Sequence, residues 1–337
     1  MLESGLSRSF IAVEGMREVL PLLLAFAFCR VLPSARSVAV ALLALLLLQR
    51  SGEAGVMQPS LDARAFYPPI AGLSTLPHDE TQPYRIVGLG SILTANVAAH
   101  YGLEDVRGYQ AMTFARLAAT FPLWCHPQPV WSNRVDDLTA PMLSLMNVRY
   151  ALAAAQSTIP NGWRHVGSFP GFELLENNRM LPRAFLPASV HEGIPADDVL
   201  RAMTGARDFA AEAWIEGGTP GTYANGRGRI SLRRQGSRLR MQIDMDAPGW
   251  VIVSEPAWRG WQAFDRDQPL DLRFADGAFV AFHLGAGSHD VRLFYRPTSF
   301  VAGGAISVAT ALLLLATWGI LRRRSIPGDE QPAPLPA

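Results

Sequence analysis

The feature that most constrains this chain is an uninterrupted apolar run at residues 300–321, reached directly from a strand-like segment. In "HDVRLFY", Val291, Leu293 and Tyr295 alternate with Asp290, Arg292 and Phe294, roughly the period of a half-buried strand. Shortly after Pro297 come 22 residues without a charge, and Arg322, Arg323 and Arg324 end the run. A bilayer crossing needs about 20 such residues, and basic residues collect on its cytoplasmic side. The run therefore reads as a membrane span, with a cytoplasmic tail at 322–337 and everything just before residue 298 outside the cytoplasm. The competing reading is a buried core helix, but core helices are seldom so long and so uniformly apolar.

The other end carries two shorter apolar blocks, "VLPLLLAFAFCRVLP" at 19–33 and "SVAVALLALLLLQ" at 37–49, after a tail at 1–18. Arg30 and Arg36 lie between them, where a cytoplasmic turn would belong. A transmembrane hairpin over 19–49 is expected, because it delivers the following chain to the same outer side as the C-terminal span does. A cleaved signal peptide would explain the first block and leave the second without a role. A lipid anchor on Cys29 is disfavoured by the bulky Phe28 before it. Three spans are expected, with two as the alternative. Cys29 and Cys125 lie far apart in different kinds of sequence, so no disulfide framework is expected.

Between the apolar ends the sequence is that of an ordinary folded domain. Residues 84–90 and 147–153 read as strands, 109–120 as an amphipathic helix, 163–176 as a hairpin turning at Pro170-Gly171, and 197–204 as a short helix. A Gly-rich break at 216–228 sets the expected boundary between an α/β subdomain (55–215) and a small antiparallel β-sandwich (226–297). In the latter, "RLRMQIDMD" places Leu239, Met241, Ile243 and Met245 on one face. "GRISLRR", "WVIVSE", "WQAF", "LDLRF", "AFVAFHL" and "HDVRLFY" complete about seven short strands, the signature of a sandwich. The expected fold class is thus a membrane-anchored α+β protein: a mixed α/β subdomain, then the sandwich, flanked by transmembrane helices.

Four stretches in this order carry a resemblance: "YRIVGLGSILTANVAAHYGLEDVRGYQAMTFAR", "APMLSLMNVRYALA", "FELLENNRMLPRAFL" and "VIVSEPAWRGWQAFDRDQ…GAFVAFHLGAGSHDVRLFYRP". Together they resemble the C-terminal extracytoplasmic part of the YfhO-like bacterial membrane proteins. That family is similar to the multispanning GT-C glycosyltransferases, which take sugars from polyprenyl-phosphate carriers. The resemblance implies an inner-membrane location, an extracytoplasmic main domain, and as partners the lipid bilayer, a multispanning membrane protein and a polyprenyl-phosphate-linked sugar. GT-C catalysis is expected to need an acid in the first outer loop of a long N-terminal bundle, and here at most two spans precede the outer domain. Asp265-Arg266-Asp267 also stands where the family tends to have Asp-Gly. The resemblance therefore implies an accessory or partial component of glycosyl transfer rather than a self-sufficient enzyme. The alternative is a non-enzymatic, membrane-anchored module that binds glycan or protein.

No catalytic set is legible. The seven histidines are scattered, with no HExxH or His-x-His pair, so neither a metal nor a cofactor is expected. Gly88-Leu89-Gly90 lacks the third glycine of a dinucleotide turn, and no Gly-x-Ser-x-Gly elbow occurs. A net charge of +1 sets up no field favouring nucleic acid. Cys125 and His126 are adjacent, and neighbours in a strand point to opposite faces, so Cys125 reads as a buried thiol. One stretch concentrates hydrogen-bonding groups: Asn96, His100, Tyr101, Glu104, Asp105, Arg107 and Tyr109. Such groups recognise sugars, and Glu104 or Asp105 could act as a general base. A helix cap and turn between Gly102 and Gly108 accounts for the same residues without a ligand. Trp258 and Trp261, with Trp124 and Trp131, are sugar-contacting candidates or else core or membrane-interface packing.

Overall fold

The computed structural model describes residues 8–57, 67–108, 113–126 and 133–324. The chain divides into two units, residues 1–69 and 70–337. The first unit holds α1 (Arg8–Val31) and α2 (Ala35–Met57), joined by a turn at 32–34. Ser34 caps α2, its Oγ accepting the Ser37 N–H at 3.2 Å. Both helices run beyond the expected 19–49 hairpin. The apolar segment Val19–Val31 within α1 is shorter than a membrane crossing.

The second unit is a mixed α+β body of three sheets. It opens with a single helical turn, α3 (Ala71–Ser74), followed by β1 (Arg85–Gly88) and β2 (Glu104–Asp105). Two short helices, α4 (Ala115–Ala119) and α5 (Pro141–Leu145), precede β3 (Val148–Ala153). The hairpin of β4 (Trp163–Phe169) and β5 (Phe172–Asn177) turns at Pro170-Gly171, as expected, with Phe169 paired to Phe172. These strands form the first sheet in the order β2-β1-β3-β5-β4, parallel at β2, β1 and β3 and antiparallel thereafter. The helix expected over 109–120 is only α4 among the described residues, because Phe114 has an extended ψ of 118°.

Next come β6 (Ala184–Phe185), β7 (Ser189–Ile194), α6 (Ala196–Met203), β8 (Glu212–Glu216) and β9 (Gly221–Ala224). The β-rich remainder comprises β10 (Gly228–Gln235), β11 (Arg238–Met245), β12 (Gly249–Pro256), β13 (Trp261–Asp265), β14 (Gln268–Leu270), β15 (Leu272–Ala275), β16 (Phe279–Leu284) and β17 (Gly287–Tyr295). Strands β10, β11, β17, β13 and β14 make one antiparallel sheet, and β6, β12, β16, β15, β8, β7 and β9 make a seven-stranded sheet. After β17 comes α7 (Thr298–Arg324). Its residues Thr298–Leu321, of mean hydropathy 2.0 and with none of them buried, form a helix long and apolar enough to cross a membrane.

The seven-stranded sheet is the middle layer, and its strands come from both sides of the Gly-rich stretch at 216–228. Strand β8 lies before the Gly-rich stretch and pairs with β15 after it, through Ile215 and Ala275. Likewise β6 pairs with β12, while β9 lies within the stretch itself and pairs with β7. The physical reason is that β12 is buried on both faces, so it needs cover on both sides. Trp250, Ile252, Phe279 and Ala281 pack towards Val87, Val148, Ala151 and Leu175 of the first sheet. Val251, Val253, Val280 and Phe282 pack towards Met241, Ile243, Val291 and Leu293 of the third. Strand β11 alternates exposed and buried residues along its whole length, as its sequence predicts.

Candidate functional site

Within the polar stretch 96–109, Glu104 and Asp105 turn to different surroundings. Asn96, at φ 70°, opens a short 3-10 turn (Val97–Tyr101) that ends at Gly102. His100 on this turn is exposed and Tyr101 half-buried, while Tyr109 lies outside the described residues. Glu104 and Asp105 form β2, so their side chains leave on opposite sides. Asp105 takes the Arg107 guanidinium in a two-point grip, Nε to Oδ1 at 3.1 Å and Nη2 to Oδ2 at 2.7 Å, with both side chains 2 % exposed. The same guanidinium donates to the Ile92 and Leu93 carbonyls and so ties the 89–94 loop to β2. Asp105 and Arg107 therefore act as a structural clip.

Glu104 points the other way, into a charge cluster built from all three sheets. Arg183, in the connection between β5 and β6, has a fully buried side chain. Its Nη1 reaches Glu255 Oε1 at 2.6 Å and Glu104 Oε2 at 3.1 Å, and its Nε donates to Asn147 Oδ1 at 2.9 Å. On β1, Arg85 donates to the Ser254 carbonyl (2.7 Å), the Met146 carbonyl (3.0 Å) and Glu255 Oε2 (3.2 Å). Arg234 on β10 completes the set by pairing with Glu104. Burial, and next the neighbouring Arg183 charge, push Arg85 down to about 9, which leaves it charged at neutral pH. For Glu255, burial acts to raise the carboxyl, but Arg85, Arg183 and Arg234 outweigh it and hold the group below the usual carboxylate range. Three guanidiniums thus face two carboxylates where the three sheets meet, and Glu104 has both oxygens engaged.

Glu104 and Arg234 also line a cleft of about 400 Å³ with His78, Glu80 and Tyr84. Part of its lining is engaged by the protein: the Arg234 N–H donates to the Glu80 carbonyl at 2.8 Å, and the Glu80 side chain faces Arg233, outside the lining, at 3.2 Å. Sequence reasoning missed Arg85, Arg183, Arg234 and Glu255. The available signal was a lone charge inside an apolar stretch, as in "YRIVG", "LPRAFL" and "VIVSEP".

Trp258 and Trp261 sit at the other notable place, the junction of β17 with α7. Trp258 is 44 % exposed, with its ring 4.8 Å from that of Phe114. Trp261 is half-buried, packs on Tyr295 and donates its indole N–H to the Pro256 carbonyl at 3.0 Å. Gly260 accepts the Arg296 N–H at 2.7 Å. Its φ is +117°, and a Cβ there would lie 2.8 Å from Pro297 Cα, so only glycine fits. The turn at 257–260 thereby clamps the residues that lead into α7. Trp124 is a core residue and Trp131 lies outside the described residues. Cys125 is buried, and burial pushes its thiol up to about 12. Among the described residues no group of three or more His, Cys, Asp or Glu is placed to hold a metal ion.

Compared with protein families, curated proteins and solved structures, the chain has no match.

Proposed function

We propose that the chain is an integral protein of a bacterial inner membrane, with its sheet-rich domain outside the cytoplasm. We further propose that it serves as an accessory component in the transfer or presentation of polyprenyl-phosphate-linked sugars during envelope glycan assembly. The observation that carries the membrane part is the junction. An apolar helix of crossing length starts at Thr298, directly after residues clamped by Gly260 and beside the exposed Trp258. Tryptophan and tyrosine favour the membrane–water interface, and a strand fused to a span leaves no slack for a domain that ranges freely. The arginines at 322–324 and between the two N-terminal apolar blocks favour a cytoplasmic position for those ends. The glycan part rests on the ordered resemblance to YfhO-like proteins.

A second reading is a binding module without chemistry of its own. It is favoured by the engagement of Glu104 and Asp105 with arginines, which leaves neither poised as a general base. The test is mild-detergent co-purification of the tagged chain from its native membrane, with mass spectrometry of proteins and lipids. Recovery of a multispanning protein together with a polyprenyl-phosphate sugar supports the first reading. Recovery of the chain alone, under conditions that retain known complexes, supports the second. Release of the chain by alkaline carbonate without detergent overturns the membrane anchor itself.

A further inference from the structure

A cleft of about 470 Å³ opens where the ends of β4 and β5 meet the connections at 138–141 and 207–210. The polar groups of its floor are internally occupied. Trp163 donates its indole N–H to the Leu138 carbonyl at 2.8 Å, and the Asn177 amide donates to Ser144 Oγ and the Val148 carbonyl. The rim differs. Arg179 and Arg207 line the cleft, are exposed, and have no carboxylate partner among the described residues. One strand away, by contrast, Arg149 and Arg164 share Glu176. Arg179 is also positioned. Gly162 sits at φ +92°, and a Cβ there would lie 2.4 Å from Arg179 Nε, so the guanidinium lies against a backbone surface that only glycine provides. Asn161 and Asn178 bring two more exposed side-chain amides to the same rim. The acid on the rim, Asp208, already accepts the Ala210 N–H at 2.8 Å. Two arginines against one aspartate leave the rim with one positive charge in excess.

We propose that this cleft binds a small hydroxylated anion, a sugar phosphate or a sugar acid. The guanidinium fork matches a phosphate or carboxylate with paired N–H donors. Amides supply both donors and acceptors for hydroxyls, and the volume lies in the range of small-molecule clefts. The proposal extends the glycan reading by naming a ligand class, and it stands on the cleft without needing the membrane helix.

The test uses the full chain in mild detergent, titrated with glucose 6-phosphate, glucuronate, glucose and inorganic phosphate by saturation-transfer NMR and calorimetry. The expected result is binding of at least one sugar anion, with glucose and inorganic phosphate both weaker. Which of the two sugar anions binds better assigns the charged group. Arg179→Ala and Arg207→Ala should each weaken binding by about tenfold or more, the effect of losing a charge-assisted hydrogen bond. Both side chains are exposed and without a carboxylate partner among the described residues, so unchanged thermal unfolding of the variants will show that the fold is intact. Absence of binding by either sugar anion, or binding unaffected by both substitutions, overturns the site. Inorganic phosphate binding as tightly as the sugar anions overturns the hydroxyl half of the assignment. None of these results bears on extraction of the chain from membranes, so this proposal and the anchor fail separately.

Discussion

Glu255 lies on β12 and Asp276 in the turn after β15 of the same seven-stranded sheet; the Glu255 side chain is 12 % exposed and Asp276 is fully buried. Their surroundings drive them in opposite directions. Glu255 is met by Arg85 and Arg183, and charge outweighs burial. The Asp276 carboxyl receives one hydrogen bond among the described residues, from the Trp214 N–H to Oδ1 at 2.9 Å, and its Oδ2 is the one buried side-chain polar atom there without a partner. Burial pushes it up to about 7, and the nearby Glu212 charge adds to the rise. The contrast shows that depth alone does not decide whether a carboxylate is a staple or a weak point; the counter-charge does. The chain has no lysine, and the counter-charges around Glu255 are all arginines. A planar fork can serve two carboxylates at once, as Arg183 does for Glu104 and Glu255.

The largest effect should come from removing that fork. Arg183→Met removes the one fully buried guanidinium that bridges both carboxylates where three sheets meet, leaving Glu255 to Arg85 and Glu104 to Arg85 and Arg234. Breaking a buried pair from one side costs about 3–5 kcal/mol, a large share of the stability of an ordinary domain. Denaturant unfolding of the detergent-solubilised chain measures it, and adding Glu255→Leu should recover part of the loss. A loss near zero for the single variant would mean that the cluster does not hold the sheets together.

Asp276→Asn should act in the other direction, and only at higher pH. The folded-state value, about 7, lies above the ordinary 3.8. The folded protein therefore holds the proton more tightly than the unfolded chain, and the associated stability is complete below about pH 4 and lost as pH rises to about 7. Glu255 has the opposite sign: its contribution is present above its ordinary value of 4.5 and is lost as pH falls through its lowered folded value. Asparagine keeps the Oδ1 acceptor for Trp214 and tolerates the φ of 47° at this position. The variant should therefore match the wild type at pH 4 and exceed it at pH 8, by at most about 4 kcal/mol for a shift of this size. Melting temperatures across that range test it, and parallel wild-type and variant profiles would show that Asp276 does not titrate in this window.

Much of the fold was legible because it is local. The alternation in β11, the hairpin at Pro170-Gly171 and the apolar helix after β17 each depend on residues close in sequence. The three-sheet arrangement was not, because β6, β8 and β9 are short and acquire meaning only from partners such as Val253, Ala275 and Val190. The candidate site shows the same limit. The density of polar groups around Glu104 was real, but Glu104 pairs with Arg183 and Arg234 from distant segments, and Asp105 with Arg107. A constellation spread from residue 85 to residue 255 leaves no spacing to read, only isolated charges in apolar stretches.

A smaller effect is expected at the junction. Gly260→Ala introduces a side chain at φ +117° and against Pro297, and a strained backbone position of this kind costs about 1–3 kcal/mol. The Arg296 amide, bonded to the Gly260 carbonyl, should then exchange faster with solvent. Unchanged exchange would mean that the turn does not clamp the start of α7.

The smallest effect closes the comparison from the side of geometry. Arg201 meets Asp198 at 2.8 Å on α6, nearly as short as the 2.6 Å between Arg183 and Glu255. Distance alone would therefore rank the two pairs together. The Arg201 and Asp198 side chains, however, are 79 % and 50 % exposed, against 0 % and 12 % for the buried pair. Water already solvates both exposed partners, so Arg201→Ala should change stability by no more than about 0.5 kcal/mol, and less in high salt. If the two arginine variants instead lost similar stability in matched denaturant experiments, burial would not be what separates the staple from the surface pair.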